Sequence, residues 1–244
     1  MTDTDSFEPA PQQLPLQVGL PEDAQLDALF AGPNQWFRSW LQANWSGSGP
    51  FNETSLVIEA LPGAGVTHWL QAICRQGEDA GLSVFYLNLA DVADYSPDLL
   101  EGMSTMSLLC LDDVDQVLGN PGWDEALFHL FNAQRDQGHR LAIGIQQPLS
   151  ALQEAVLPDL HSRLTWGLRV ALKLPAEEVD WEAAILWLAN QRGLSINAET
   201  AKYLSLRGPR DWRGVSDLLS ELDTRALAAK RRITPPFIRS VTGW

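Results

Sequence analysis

Residues 55–73 read SLVIEALPGAGVTHWLQAI. Residues 55–60 (SLVIEA) form a short apolar run of the kind that makes a buried strand. The segment LPGAG then supplies turn residues, with Pro62, Gly63 and Gly65 in close succession. From residue 67 the pattern becomes helical and continues to residue 80 (THWLQAICRQGEDA). Strand, glycine turn and helix in this order match the frame of a phosphate loop, G-x-x-x-x-G-K-[ST]. Gly63, Gly65 and Thr67 fit that turn, Ala60 stands where the first glycine belongs, and Val66 stands at the lysine position. Backbone N–H groups at a helix N-terminus attract an anion without any side-chain charge. The cation that reaches the β- and γ-phosphates is missing, and it matters most for phosphoryl transfer. Gly-Ala-Gly also makes an ordinary strand-to-helix turn, so the loop gains meaning only from its neighbours.

Working outward, four further apolar runs read as strands: SVFYLNL (83–89), SLLCLDD (107–113), RLAIGI (140–145) and LRVALKL (168–174). Helical periodicity separates them, at 34–45 before the first strand and at 123–138 before the fourth. Strands alternating with helices predict a five-stranded parallel sheet covered on both faces. After Pro175 only helical patterns follow, at 177–191, 197–206, 211–230 and 235–241. Thr234-Pro235 is a strong helix start, with proline at the first helical position. The expected organisation is a flexible tail (1–19), an α/β domain (20–175) and a small helical domain (176–244). The tail carries Pro9, Pro11 and Pro15 and lacks periodicity.

Composition narrows the function. The chain has 244 residues and a formal net charge of −14. Strong autonomous nucleic-acid binding needs a dense basic surface, which this balance opposes. The cluster Lys230-Arg231-Arg232 reads as the solvated end of a helix. No stretch is long and apolar enough for a membrane span, and the acidic start lacks the features of a secretory signal. Cys74 and Cys110 lie in apolar segments and read as core residues of a cytoplasmic protein. His68, His129, His139 and His161 show no metal-ligand spacing, and no serine nucleophile elbow is present. The ten tryptophans fall mostly on helix faces, where they read as core or interface.

Several segments carry possible chemistry. The strand SLLCLDD ends in Asp112-Asp113, two carboxylates able to hold a magnesium–water shell and polarise water, or simply to form a turn. The end of RLAIGI falls on the same edge, because ligands sit beyond the carboxyl ends of parallel strands. In LPDLHSRLTWGL (157–168), Arg163 precedes an aromatic–glycine turn, suited to a surface ion pair or to a neighbour's phosphate. In the tail, Gln13-Leu14-Pro15-Leu16 displays two leucines that suit a partner's pocket.

Taken in order, these segments resemble the Hda family, relatives of the ATPase region of the initiator DnaA within the AAA+ class. The resemblance runs from Gln13 to Phe237. The QLPL tail and the following LPEDAQLDALFAGPN are similar to the family's clamp-binding peptide and its approach to the nucleotide pocket. PGAGVTHWLQAI resembles Walker A, and DLLEGMSTMSLLCLDDVD resembles Walker B. LPDLHSRLTWG resembles the arginine-finger box. RGPRDWRGVSDLLSELD resembles the sensor 2 helix, and ITPPFIRSV the end of the lid.

The resemblance implies an AAA+ P-loop domain with a C-terminal helical lid, and it assigns roles. Gln13, Leu14 and Leu16 would engage the β sliding clamp of DNA polymerase III. Phe30 and Asn34 would flank the base. Gly63, Ala64, Gly65, Val66, Thr67 and His68 would line the phosphates of ADP or another nucleoside diphosphate. Asp112 and Asp113 would be Walker B, with Thr67 and Asp112 holding magnesium. Arg213 would be the sensor 2 residue. Arg163 would be offered in trans to ATP on DnaA, stimulating its hydrolysis and preventing re-initiation. The chain itself would be a regulator and not an enzyme. Relatives of this class assemble head to tail, which leaves a homo-oligomer open. Three positions depart from the pattern: Val66 for the P-loop cation, Gln17 after the clamp peptide, and Gln146-Gln147 at sensor 1. The rival readings are an autonomous ATPase and a scaffold that binds no nucleotide.

Overall fold

Alternating apolar residues in the short strands divide between two faces and so demand cover on both. In the computed structural model, which describes residues 24–45 and 53–244, that cover is present. The strands are β1 (Ser55–Glu59), β2 (Val84–Asn88), β3 (Leu108–Asp112), β4 (Arg140–Ile145) and β5 (Leu168–Ala171). They form one parallel sheet in the order β2-β3-β4-β1-β5. On one face Leu56, Ile58, Leu108, Cys110 and Ala142 pack against α1 (Gln35–Asn44) and α2 (Val66–Asp79) through Phe37, Leu41, Leu70 and Ile73. On the other, Val57, Leu109, Leu111, Leu141 and Ile143 pack against α3 (Pro121–Asp136) and α4 (Pro158–Leu164) through Leu127, Phe131, Leu160 and Leu164. The tail with Gln13, Leu14, Leu16 and Gln17, and the Gly/Ser segment at 46–49, lie outside the described residues.

The remaining helices are α5 (Glu178–Gln191), α6 (Ala198–Arg207), α7 (Trp212–Ala229) and α8 (Pro235–Thr242). They share a separate apolar core that includes Trp181, Ile185, Leu204, Leu219, Leu222, Phe237 and Ile238. Side-chain caps fix two of their starts. Asn197 accepts from the Thr200 N–H, and Asp211 accepts from the Gly214 N–H, satisfying donors that a helix end leaves open.

Two differences from the sequence expectation have clear causes. The fifth strand stops at Ala171 and does not continue to 174. β5 is an edge strand with only β1 beside it, and beyond Leu172 its backbone pairs with the Asn34 side chain. Residues 158–164 form a short helix with Pro158 at its first position. Its buried face is only Leu160 and Leu164, one turn apart, too little to show as periodicity. No described helix is long and apolar enough to cross a membrane.

Candidate functional site

The carboxyl ends of β1, β3 and β4 converge on the loop at 60–65, as the parallel order requires. Gly63 and Gly65 adopt left-handed conformations, with φ of +85° and +96°. Gly65 is the N-cap of α2 and offers no side chain to that helix end. The first-turn N–H groups are therefore presented to an anion, the arrangement expected of a phosphate cradle.

Val66 does not reach toward that cradle. It is buried, and its Cγ1 lies 2.7 Å from where a Cβ on Gly144 would stand. Leu70 Cδ1 and Asp112 Oδ1 crowd the same point at 2.6 and 2.7 Å. Gly144, near the carboxyl end of β4, is thus the hollow that admits α2 and the β3 carboxylate together. Sequence reading missed it, although a glycine inside a strand marks a close approach.

Asp112 is fully buried at the end of β3. Its Oδ2 accepts from the Tyr86 hydroxyl at 2.8 Å, and its Oδ1 accepts from the Asp113 N–H at 2.9 Å. Burial nevertheless pushes its pKa above the ordinary carboxylate value, because desolvation disfavours the charge. Burial and the adjacent Asp112 likewise push the Tyr86 phenol far up, so it stays a donor. Asp113 sits in a left-handed turn, where its carboxylate accepts from the Asn88 side chain at 2.9 Å. Asp115 accepts from the Gln146 N–H at 2.8 Å, which ties the turn after β3 to the residue that follows β4. Tyr86, Asn88 and Asp115 were not legible as site residues, since nothing in a strand sequence shows which side chains meet across the sheet.

The lid closes on this loop directly. The Trp212 N–H donates to the Gly63 carbonyl at 2.9 Å. Asp211 Cβ lies 2.9 Å from the position of a Gly63 Cβ, and the Trp212 ring lies 3.4 Å from that of Gly65. Trp212 also meets Phe30, Trp181 and Trp187, with ring centroids 5.6, 5.6 and 6.4 Å away. Phe30 thus joins the loop-side aromatic wall. Asn34 is buried, and its amide is spent on Lys173, donating to the carbonyl and accepting from the N–H, each at 2.9 Å. His68 lies in the first turn of α2. Arg213 is exposed in the first turn of α7, where a positive charge opposes the helix dipole and so adds nothing to the helix.

Arg163 belongs to a second place. Its guanidinium lies over Phe128 and Trp166, at 5.8 and 5.7 Å from the ring centroids. Among the described residues it has no carboxylate partner. Ring faces orient a guanidinium while leaving its charge unneutralised. Trp166 is 54% exposed, so this Arg–aromatic pair faces outward.

A parallel sheet of this order, with a glycine turn leading from β1 into α2 and four lid helices after it, defines an AAA+ domain of the DnaA type. The family model of the bacterial DnaA ATPase domain matches residues 42–171, and that of the Hda lid domain matches residues 180–242. The chain belongs to the Hda family of DnaA-related replication regulators. An uncharacterized protein of Haemophilus influenzae is 31% identical over 230 residues, covering 94% of this chain and 98% of its own length. Domain III of Thermotoga maritima DnaA superposes with a TM-score of 0.80 at 20% identity, covering 92% of this chain and 98% of that one. DnaA of Aquifex aeolicus, solved with AMPPCP, gives a TM-score of 0.74 at 20% identity, covering 86% of this chain and 68% of that one.

Proposed function

We propose that the protein is an adaptor that binds the β sliding clamp through Gln13, Leu14 and Leu16 and stimulates hydrolysis of ATP on DnaA through Arg163. The observation that carries this reading is Arg163 itself, oriented by Phe128 and Trp166 with no counter-ion among the described residues. A guanidinium held this way suits a neighbour's phosphates and not its own P-loop, because its contacts are with α3 and the turn into β5. An arginine finger is worth roughly a thousandfold or more in rate.

The P-loop would hold ADP as a regulatory ligand. The N–H groups of residues 65–68 suit a diphosphate, and Phe30 with Trp212 supplies an aromatic boundary for a base. The AMPPCP bound by Aquifex aeolicus DnaA supports a nucleotide in the corresponding fold. Thr67 and Asp112 would hold a magnesium ion, which would offset phosphate charge. With Val66 turned into the core, no side chain at that position supplies the cation for transfer, so the chain is read as an activator and not a hydrolase.

The test is the rate of ATP hydrolysis by DnaA with this protein, with and without clamp loaded on DNA, and with and without ADP. Clamp-dependent stimulation is the expected result. Stimulation that ignores the clamp would remove the adaptor role, and none under any condition would overturn the reading.

A further inference from the structure

The chain's charge is unevenly placed. Residues 224–244 hold Arg225, Lys230, Arg231, Arg232 and Arg239 and no Asp or Glu, within a chain of net charge −14. Arg225 is spent on Glu221 at 2.6 Å. Lys230, Arg231 and Arg232 are all exposed, and among the described residues none forms an ion pair. In a protein where acids outnumber bases, 31 to 17, three successive cations without a carboxylate are a segregated patch.

The sequence expectation was a solvated helix end. The structure places the cluster at that helix end and adds detail. The last turn of α7 has no basic residue, Lys230 is its C-cap in a left-handed conformation, and Arg231 and Arg232 lie beyond it in the link to α8. Arg231 is steadied over the Phe237 ring at 5.7 Å. All three cations lie at the carboxyl end of α7, where the helix dipole favours positive charge, and two of them project from the non-helical link that follows.

We propose that this end of the lid is a contact for the phosphate backbone of duplex DNA. Phosphate neutralisation needs accessible Lys and Arg and no apolar anchor. A stable protein interface needs buried apolar or aromatic anchors at its centre. The patch has one exposed large apolar neighbour, Leu227, and its three cations are exposed, so DNA fits better than a protein partner that needs an apolar anchor. The rest of the chain is acidic and repels DNA, so the contact is weak for the free protein. It becomes significant when the protein is tethered beside DNA, where effective concentrations reach roughly the millimolar range. That last step rests on the clamp-adaptor reading, whereas binding by the free protein does not.

The experiment is fluorescence anisotropy of a labelled duplex with the free full-length chain across a salt series. Three phosphate contacts predict a slope of log K against log salt near about −2.7, or roughly a fortyfold loss of affinity between 50 and 200 mM salt. Replacing Lys230, Arg231 and Arg232 by Gln should abolish binding and leave the melting temperature within a few degrees. Should that triple variant fold poorly, Lys230→Gln with Arg232→Gln leaves Arg231 on Phe237 and should remove about two-thirds of the slope. Unchanged binding or slope in a folded variant would overturn the proposal. So would no binding by the parent chain at low salt, or loss of self-association in sedimentation with DNA binding intact, which would make the patch a protein interface. Failure of DnaA stimulation would leave this result unaffected.

Discussion

The backbone N–H of Trp212 donates to the carbonyl of Gly63 across 2.9 Å, joining the first residue of the lid helix α7 to the glycine turn between β1 and α2. That N–H is one of the donors a helix start leaves open, and here the loop satisfies it. Any movement of the loop on ligand binding is therefore felt at the start of α7. Gly63 permits the contact because its φ of +85° suits glycine and because Asp211 occupies the space a Cβ would take.

Gly63→Ala is accordingly expected to destabilise the protein by about 1–3 kcal/mol, from backbone strain and the overlap with Asp211. It should also reduce the rise in melting temperature produced by ADP, since a ligand selective for the native state stabilises it. Thermal melts with and without ADP check both. A variant as stable as the parent, with an undiminished ADP shift, would show that the Gly63–Asp211 approach is dispensable.

Asp112 makes stability depend on pH in a definite direction. Its pKa in the folded chain is raised above 3.8 by burial, so the native state holds the proton more tightly than the unfolded state. Stability must then fall as pH rises from near 3.8 through the raised value. Asp112→Asn removes that component. The nucleotide-free variant should melt higher than the parent at pH 8, with the difference shrinking toward acid. A variant that melts lower at pH 8 would mean that the bonds from Tyr86 and Asp113 outweigh the desolvation cost.

Asn34→Ala would leave the N–H and carbonyl of Lys173 without their side-chain partner in a half-buried setting. A loss of about 2–4 kcal/mol is expected. Urea unfolding would measure it, and a loss below about 1 kcal/mol would show that water replaces the clasp.

Arg163→Ala should lower the stimulated hydrolysis rate on DnaA roughly a thousandfold. Its cost in stability should be about 1 kcal/mol, from the lost ring contacts. Arg163→Lys keeps a charge but not the planar fork and should recover little of the rate. Full stimulation by either folded variant would remove Arg163 from the proposed role.

Much of the fold was legible because its signals are local. The run at 55–60, the turn at 61–65 and the change to helical periodicity after Pro175 each depend on neighbours in the chain. The glycine turn from β1 into α2 was legible for the same reason, since Gly63, Gly65 and Thr67 stand close together in the chain. So was the absence of a side-chain cation, which follows from Val66 alone. Tertiary structure decided what those residues do. Val66 and Asp112 meet because Gly144, from a strand far along the chain, leaves a hollow between them. Asn34 clasps Lys173 and Tyr86 holds Asp112 because sheet order brings together residues that no sequence spacing relates. Arg163 became a positioned cation only when α3 and the turn into β5 set two rings beneath it. The sequence by itself determined elements, their order and the chemistry of single residues, because local interactions specify these. Which side chains are spent on each other, and which are left to meet a partner, was decided only by packing between distant segments.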